Sequence, residues 1–184
     1  MPQDSARESA LRDLAQSWGR EAPVAAERWA RALLDPAERE RALTQVCLEV
    51  AAKDPRETIR IAQANGLHPG IVQAAAARWA AMDFSAALAW TDEAPEGEVR
   101  DRVLLQLIQS RAGEAPAEAA VMLSVSKLND AAKEEAAMGI VHQWLLKDPD
   151  AARKWVERFP EGPAKERAMV EVQGAMARQD AEGK

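Results

Sequence analysis

Two histidines, one cysteine and many scattered carboxylates are the side chains in this 184-residue sequence with the greatest chemical reach. His68, His142 and Cys47 are the candidates for a soft metal site. Metal binding, however, needs ligands at fixed offsets, and no His-x3-His, His-Glu-x2-His or Cys-x2-Cys spacing occurs. The two histidines are therefore expected at the surface or capping a helix. Cys47 lies within an apolar helical pattern, which points to a buried, inert thiol. No Gly-x4-Gly-Lys loop or Gly-x-Gly-x2-Gly turn is present to cradle a phosphate, and no Gly-x-Ser-x-Gly elbow to expose a nucleophile. Adjacent carboxylates such as Glu134 and Glu135 fit an ordinary solvated helix face. The sequence thus predicts no catalytic residue, no metal ligand and no cofactor, and hence not an enzyme.

One polar pattern does recur. Arg7, Arg39, His68, Arg100 and Lys133 stand at one position of a repeated unit, and Lys165 occupies the equivalent place before a terminal helix. Stacked, they would form a basic strip able to bind an acidic peptide or an anionic polymer. Alternatively each base is tied to a carboxylate on a neighbouring helix. Repetition in every unit favours the tie, because packing acts on all units alike, and an exposed pair of this kind contributes only about 0–1 kcal/mol.

Tryptophan exposes the unit that carries this column. The six Trp fall into pairs eleven residues apart: Trp18 and Trp29, Trp79 and Trp90, Trp144 and Trp155. Between the members of each pair lies a helix-start signal, at Pro23, Phe84 and Pro149, and two further copies occur at Pro55 and Pro116. These anchors are 32, 29, 32 and 33 residues apart, the spacing of a helical repeat. Asp54-Pro55 and Asp148-Pro149 supply an N-cap carboxylate followed by a residue that needs no backbone donor. At Asp35 and Asp54 a Glu three residues on completes the pattern of a capping box. A second family of boundaries falls at Pro36, Pro69, Pro95 and Pro160, with Asn129-Asp130 doing that duty in the fourth unit.

Each unit then holds a longer helix before the anchor and a shorter one after it. In the longer helix, Leu43, Val46, Cys47 and Val50 show the i, i+3, i+4, i+7 spacing of one buried stripe, repeated at Val72, Ala75, Ala76 and Trp79. In the shorter helix the stripe reads Thr58, Ile61 and Ala62, or Ala87, Trp90 and Thr91. The tryptophans share these stripes, so all six are expected in the core. Arg111 is the exception, replacing Trp in the fourth unit, where the stripe either opens to solvent or supplies a buried carboxylate. A sixth long helix, about residues 163–178, is expected to cap the array.

The pattern resembles the tetratricopeptide and HEAT class of α-solenoids, and its spacing is nearer the tetratricopeptide value of about 34 residues. It is most similar to a loosely defined bacterial repeat of the form Trp-x3-Asp-Pro-x-Ala-Ala-x2-Trp. Trp144, Asp148-Pro149, Ala151-Ala152 and Trp155 carry that form best. The resemblance spans almost the whole chain. It implies one repeat domain over residues 1–184: an all-α, right-handed superhelix of five helix pairs and a capping helix.

The implied function is a scaffold whose concave surface holds a protein or peptide, with a structural spacer or oligomerisation domain of a larger bacterial protein as the alternative. A net charge of −6 without clustered Lys and Arg argues against nucleic acid. No apolar run is long enough to insert in a membrane. The amino terminus lacks the apolar core of a signal peptide, so a cytoplasmic location is the expectation, although a segment cut from a longer protein would carry the same features. Self-association is compatible with the sequence.

Overall fold

Short polar side chains placed just ahead of apolar periodic runs start the helices. Asp35 accepts from the backbone N–H of Ala37 and Glu38 at 2.8 and 2.9 Å. Asp54, Asn129 and Asp148 each accept from the N–H three residues on, at 2.9 Å. These bonds satisfy donors that the first helical turn leaves without partners. Pro23, Pro36, Pro55, Pro69, Pro116, Pro149 and Pro163 all stand at the first helical position, where the missing N–H costs nothing.

The computed structural model describes the backbone of residues 2–182 and the side chains of residues 6–179. Among the described residues the fold is all-α, with no strand. Its helices are α1 (Pro2–Glu21), α2 (Pro23–Arg31), α3 (Pro36–Val50), α4 (Pro55–Ala64), α5 (Pro69–Glu93), α6 (Glu98–Glu114), α7 (Pro116–Val125), α8 (Asp130–Leu145), α9 (Pro149–Val156) and α10 (Pro163–Glu182). The helix α5 contains the boundary expected at Phe84. Asp83 leaves helical geometry (φ −156°, ψ 87°), and its carboxylate caps the following turn by accepting from Ala86 N–H at 2.9 Å. Long and short helices thus alternate through α9. The terminal helix runs a turn beyond its expected end.

Helix α4 closes with a Schellman motif. Gly66 takes the left-handed conformation (φ +60°), and the N–H of Leu67 reaches back to the carbonyl of Ala62 at 3.0 Å. Leu67 is itself buried, which fixes the chain as it turns towards α5.

The chain forms two compact units, Met1–Val103 and Leu104–Lys184, with the division inside α6. In the first, α1 packs along α3, α2 fills the angle between them, and α4 packs on α3 and α5. The stripes read from the sequence lie inside: Leu43, Val46, Cys47, Val50, Val72, Ala75, Ala76, Thr58, Ile61 and Ala62 are all buried. In the second unit α8 packs on α7, α9 and α10. One cluster there joins Ile108, Ala112, Ala119, Leu123, Leu128, Ala136 and Ile140, and another joins Val141, Val156, Ala168 and Val172.

Each tryptophan pair is in ring contact across its helix junction, with centroids 5.9, 5.9 and 5.6 Å apart for Trp18–Trp29, Trp79–Trp90 and Trp144–Trp155. These are distances at which tilted and edge-on rings attract. Burial is uneven, however. Trp79 is buried, Trp29, Trp90, Trp144 and Trp155 are half-buried, and Trp18, assigned to the core by its stripe, is 38% exposed. That helix bears on α2 and α3 alone among the close packings, so its stripe is covered from one direction only.

Candidate functional site

The basic column does not form a uniform strip, because its members have different roles. Arg7 makes a two-pronged bond to Glu38 on α3 (2.6 and 3.0 Å), which raises the guanidinium's pKa and lowers that of the carboxyl. Arg39 donates to the carbonyls of Leu33 and Leu34, just beyond the end of α2, at 3.1 and 3.2 Å. His68 is the N-cap of α5, its Nδ1 accepting from Gly70 N–H at 3.1 Å. Arg100 is only 8% exposed and donates to Asp101 at 2.6 Å. Lys165 pairs with Glu161 at 2.6 Å, and Lys133 is half-buried in the first turn of α8. Arg7 fits the expected tie to a neighbouring helix, whereas Arg39, His68, Arg100 and Lys165 serve local turns and helix ends.

The remaining chemical candidates fall at sealed, exposed and ion-paired positions. Cys47 is fully buried, and burial pushes its thiol up to about 12. His142 is exposed on α8. Arg111 is half-buried and reaches the exposed Glu114 and Glu118 at 3.4 and 3.7 Å, so the carboxylates that answer it lie at the surface. Among the described residues no three His, Cys, Asp or Glu are grouped to hold a metal ion. None of the described helices is long and apolar enough to cross a membrane.

Two sets of polar contacts went unread in the sequence. Glu27, on α2 and 6% exposed, accepts from Arg60 on α4 and from Asn65 Nδ2 at 2.9 Å. Burial opposes its charge, but the bonds from Arg60 and Asn65 prevail and hold the carboxyl below its ordinary range. The second set is a recurring tie between long helices. Glu8 on α1 faces Arg41 on α3 at 3.3 Å, and Glu134 on α8 pairs with Arg167 on α10. In both cases the acid stands fifteen residues before its anchor and the arginine is 33 residues further on, a signal present in the sequence. Between α3 and α5 the shorter, 29-residue spacing puts Gly70 in the arginine's register, fourteen residues before the anchor at Phe84, so the tie cannot form there.

Clefts open beside these helices. One of about 530 Å³ lies between α3 and α5, walled by Leu48 and Ile71, with Cys47 and Ala75 along its floor and His68 and Arg78 also lining it. Another, of about 680 Å³, lies between α8 and α10, with Leu146 and Val170 on its walls. Both volumes are typical of small binding clefts. The walls carry large apolar side chains in water: Leu48 is 60% exposed, Leu146 72% and Val170 69%. A smaller cavity of about 310 Å³, over the α1–α3 seam, is instead lined by Glu8, Arg12, Glu38 and Arg41.

No protein-family model, curated protein or solved structure matches this chain.

Proposed function

We propose that the chain is a non-enzymatic interaction scaffold. In this reading its hairpins continue as a right-handed solenoid of five helix pairs and a capping helix, in the manner of tetratricopeptide and HEAT repeats, and its long helices offer their surface to a protein or peptide. The observation that carries it is the placement of exposed apolar side chains. Leu48 in one unit, and Leu146 and Val170 in the other, each wall a cleft between two long helices. Large apolar groups held in water at a concave site mark contact surfaces more often than inert ones. Binding through apolar clefts is favoured over binding through the basic column, because Arg7, Arg39, Arg100 and Lys165 already have intramolecular partners.

The test compares affinity capture by the wild-type chain with capture by Leu48→Asp and Leu146→Asp, both exposed positions where helicity is expected to survive. A protein held by the wild type and lost by either variant supports the scaffold. Capture unchanged by both substitutions overturns the apolar surface as its means. Sedimentation that shows concentration-dependent self-association, abolished by the same substitutions, would move the conclusion to an oligomerisation domain.

A further inference from the structure

The α3–α5 cleft carries a more definite reading of its occupant, one that rests on the scaffold proposal. Long helices one repeat apart pack closely where Glu8 and Arg41 join α1 to α3, and where Glu134 and Arg167 join α8 to α10. Between α3 and α5 no comparable packing exists, and Gly70 stands where the arginine of the tie would be. One flank of α3 is therefore covered by α1, while the other looks across an open cleft.

The facing walls are regular. Thr44, Cys47, Leu48 and Ala51 line one side, and Ile71, Ala74, Ala75 and Arg78 the other. Each set follows i, i+3, i+4, i+7, two turns of helix or about 10 Å of groove. Small side chains alternate with one large apolar group on each wall, the relief into which the ridges of a third helix fit. The one charged side chain along this cleft is Arg78, and no Asp or Glu lines it, in a chain whose net charge is −6.

We propose that this cleft receives an amphipathic helix of a partner protein, its apolar face lying between Leu48 and Ile71 and a carboxylate meeting Arg78. The groove is bounded by α3 and α5, with Thr58 of α4 also lining it, and the relief of its two long walls suits a helix laid between them. Arg78 is exposed and donates to the carbonyl of Ala52 at 3.3 Å, leaving further donors for an acid.

The probe is a display library of random 16-residue peptides, selected on the whole chain and followed by fluorescence anisotropy with the enriched peptides. Enrichment of apolar residues at helical spacing with Asp or Glu beside them is expected. Affinity should fall at least tenfold on Leu48→Asp and on Arg78→Glu, with circular dichroism unchanged. Replacing the peptide's acid by Lys should restore binding to the Arg78→Glu chain. Enriched peptides that bind both variants as well as the wild type would overturn the cleft assignment while leaving the scaffold standing. Basic or uncharged binders would overturn the chemistry. Failure of any peptide to enrich would sink the helix assignment, while the scaffold would still be decided by the capture experiment. A fluorescent fatty acid that binds in a Leu48-dependent way while no peptide does would replace the helix by a lipid chain.

Discussion

Replacement of Glu27 by alanine tests whether the polar contact between α2 and α4 holds the first unit together. Breaking a buried ion pair can cost about 3–5 kcal/mol when the surviving charge is stranded. Here neither donor would be stranded. The Arg60 side chain is 48% exposed and keeps Glu57 at 2.8 Å, and Asn65 keeps the carbonyl of Ile61 at 2.8 Å. What is lost is a charge-assisted bond to a half-solvated arginine and a second bond from an amide, while alanine regains a little helix propensity. The expected cost is therefore about 1–2 kcal/mol at pH 7, read from urea denaturation followed by far-ultraviolet circular dichroism. In a double-mutant cycle with Arg60→Ala, roughly half of it should appear as coupling.

The pH dependence has a definite sign. The folded carboxyl lies below its ordinary value, so its contribution is complete above the unfolded glutamate range, near pH 4.3, and is lost as pH falls through the lowered folded value. The gap between wild type and Glu27→Ala should thus narrow in acid. A cost below about 0.3 kcal/mol at pH 7, or coupling indistinguishable from zero, would refute the view that this contact joins the helices.

Other expectations follow from single sites. Cys47 should resist Ellman's reagent in the native chain and react promptly in urea, since both access and thiolate are denied by burial; rapid native labelling would contradict its placement. Gly66→Ala should cost about 1–2 kcal/mol by forcing a side chain into left-handed geometry, with an unchanged denaturation midpoint counting against the motif. Ile61→Ala, at a fully buried position, should cost about 2–5 kcal/mol in the same denaturation assay. Acrylamide should quench Trp18 more readily than Trp79, so Trp18→Phe lowers the quenchable fraction and Trp79→Phe raises it.

The helical layout was legible because it is written in local chemistry. Asp54-Pro55 and Asp148-Pro149 announce helix starts within two residues, and Asp83 does so even without a proline to follow. The buried stripes were legible too, since a residue such as Val46 or Ala76 reports its face through its spacing alone. The basic column shows where this kind of reading stops. Arg7, Arg39, His68 and Arg100 share a register position, yet they pair with a carboxylate on another helix, two carbonyls, a cap N–H and an adjacent aspartate. Register fixes where a side chain starts, while a long flexible arm chooses its partner from whatever packing brings near. Trp18 fails similarly, because its stripe says nothing of whether another helix covers it. The standing-apart of α3 and α5 did leave a trace, in the shortened spacing of 29 residues and in Gly70, although that trace acquires meaning only once the Glu8–Arg41 tie is seen.

The cross-helix ties also bear on how the chain reaches its folded form. Arg7 to Glu38, Arg20 to Glu49 and Glu27 to Arg60 span 31, 29 and 33 residues, and the closely packed helices are neighbours or next-neighbours along the chain. Closing such short loops forfeits little chain entropy, and no remote segment has to be awaited. Each unit, at so low a contact order, is expected to begin folding from local helix pairs, with the remaining helices docking onto them.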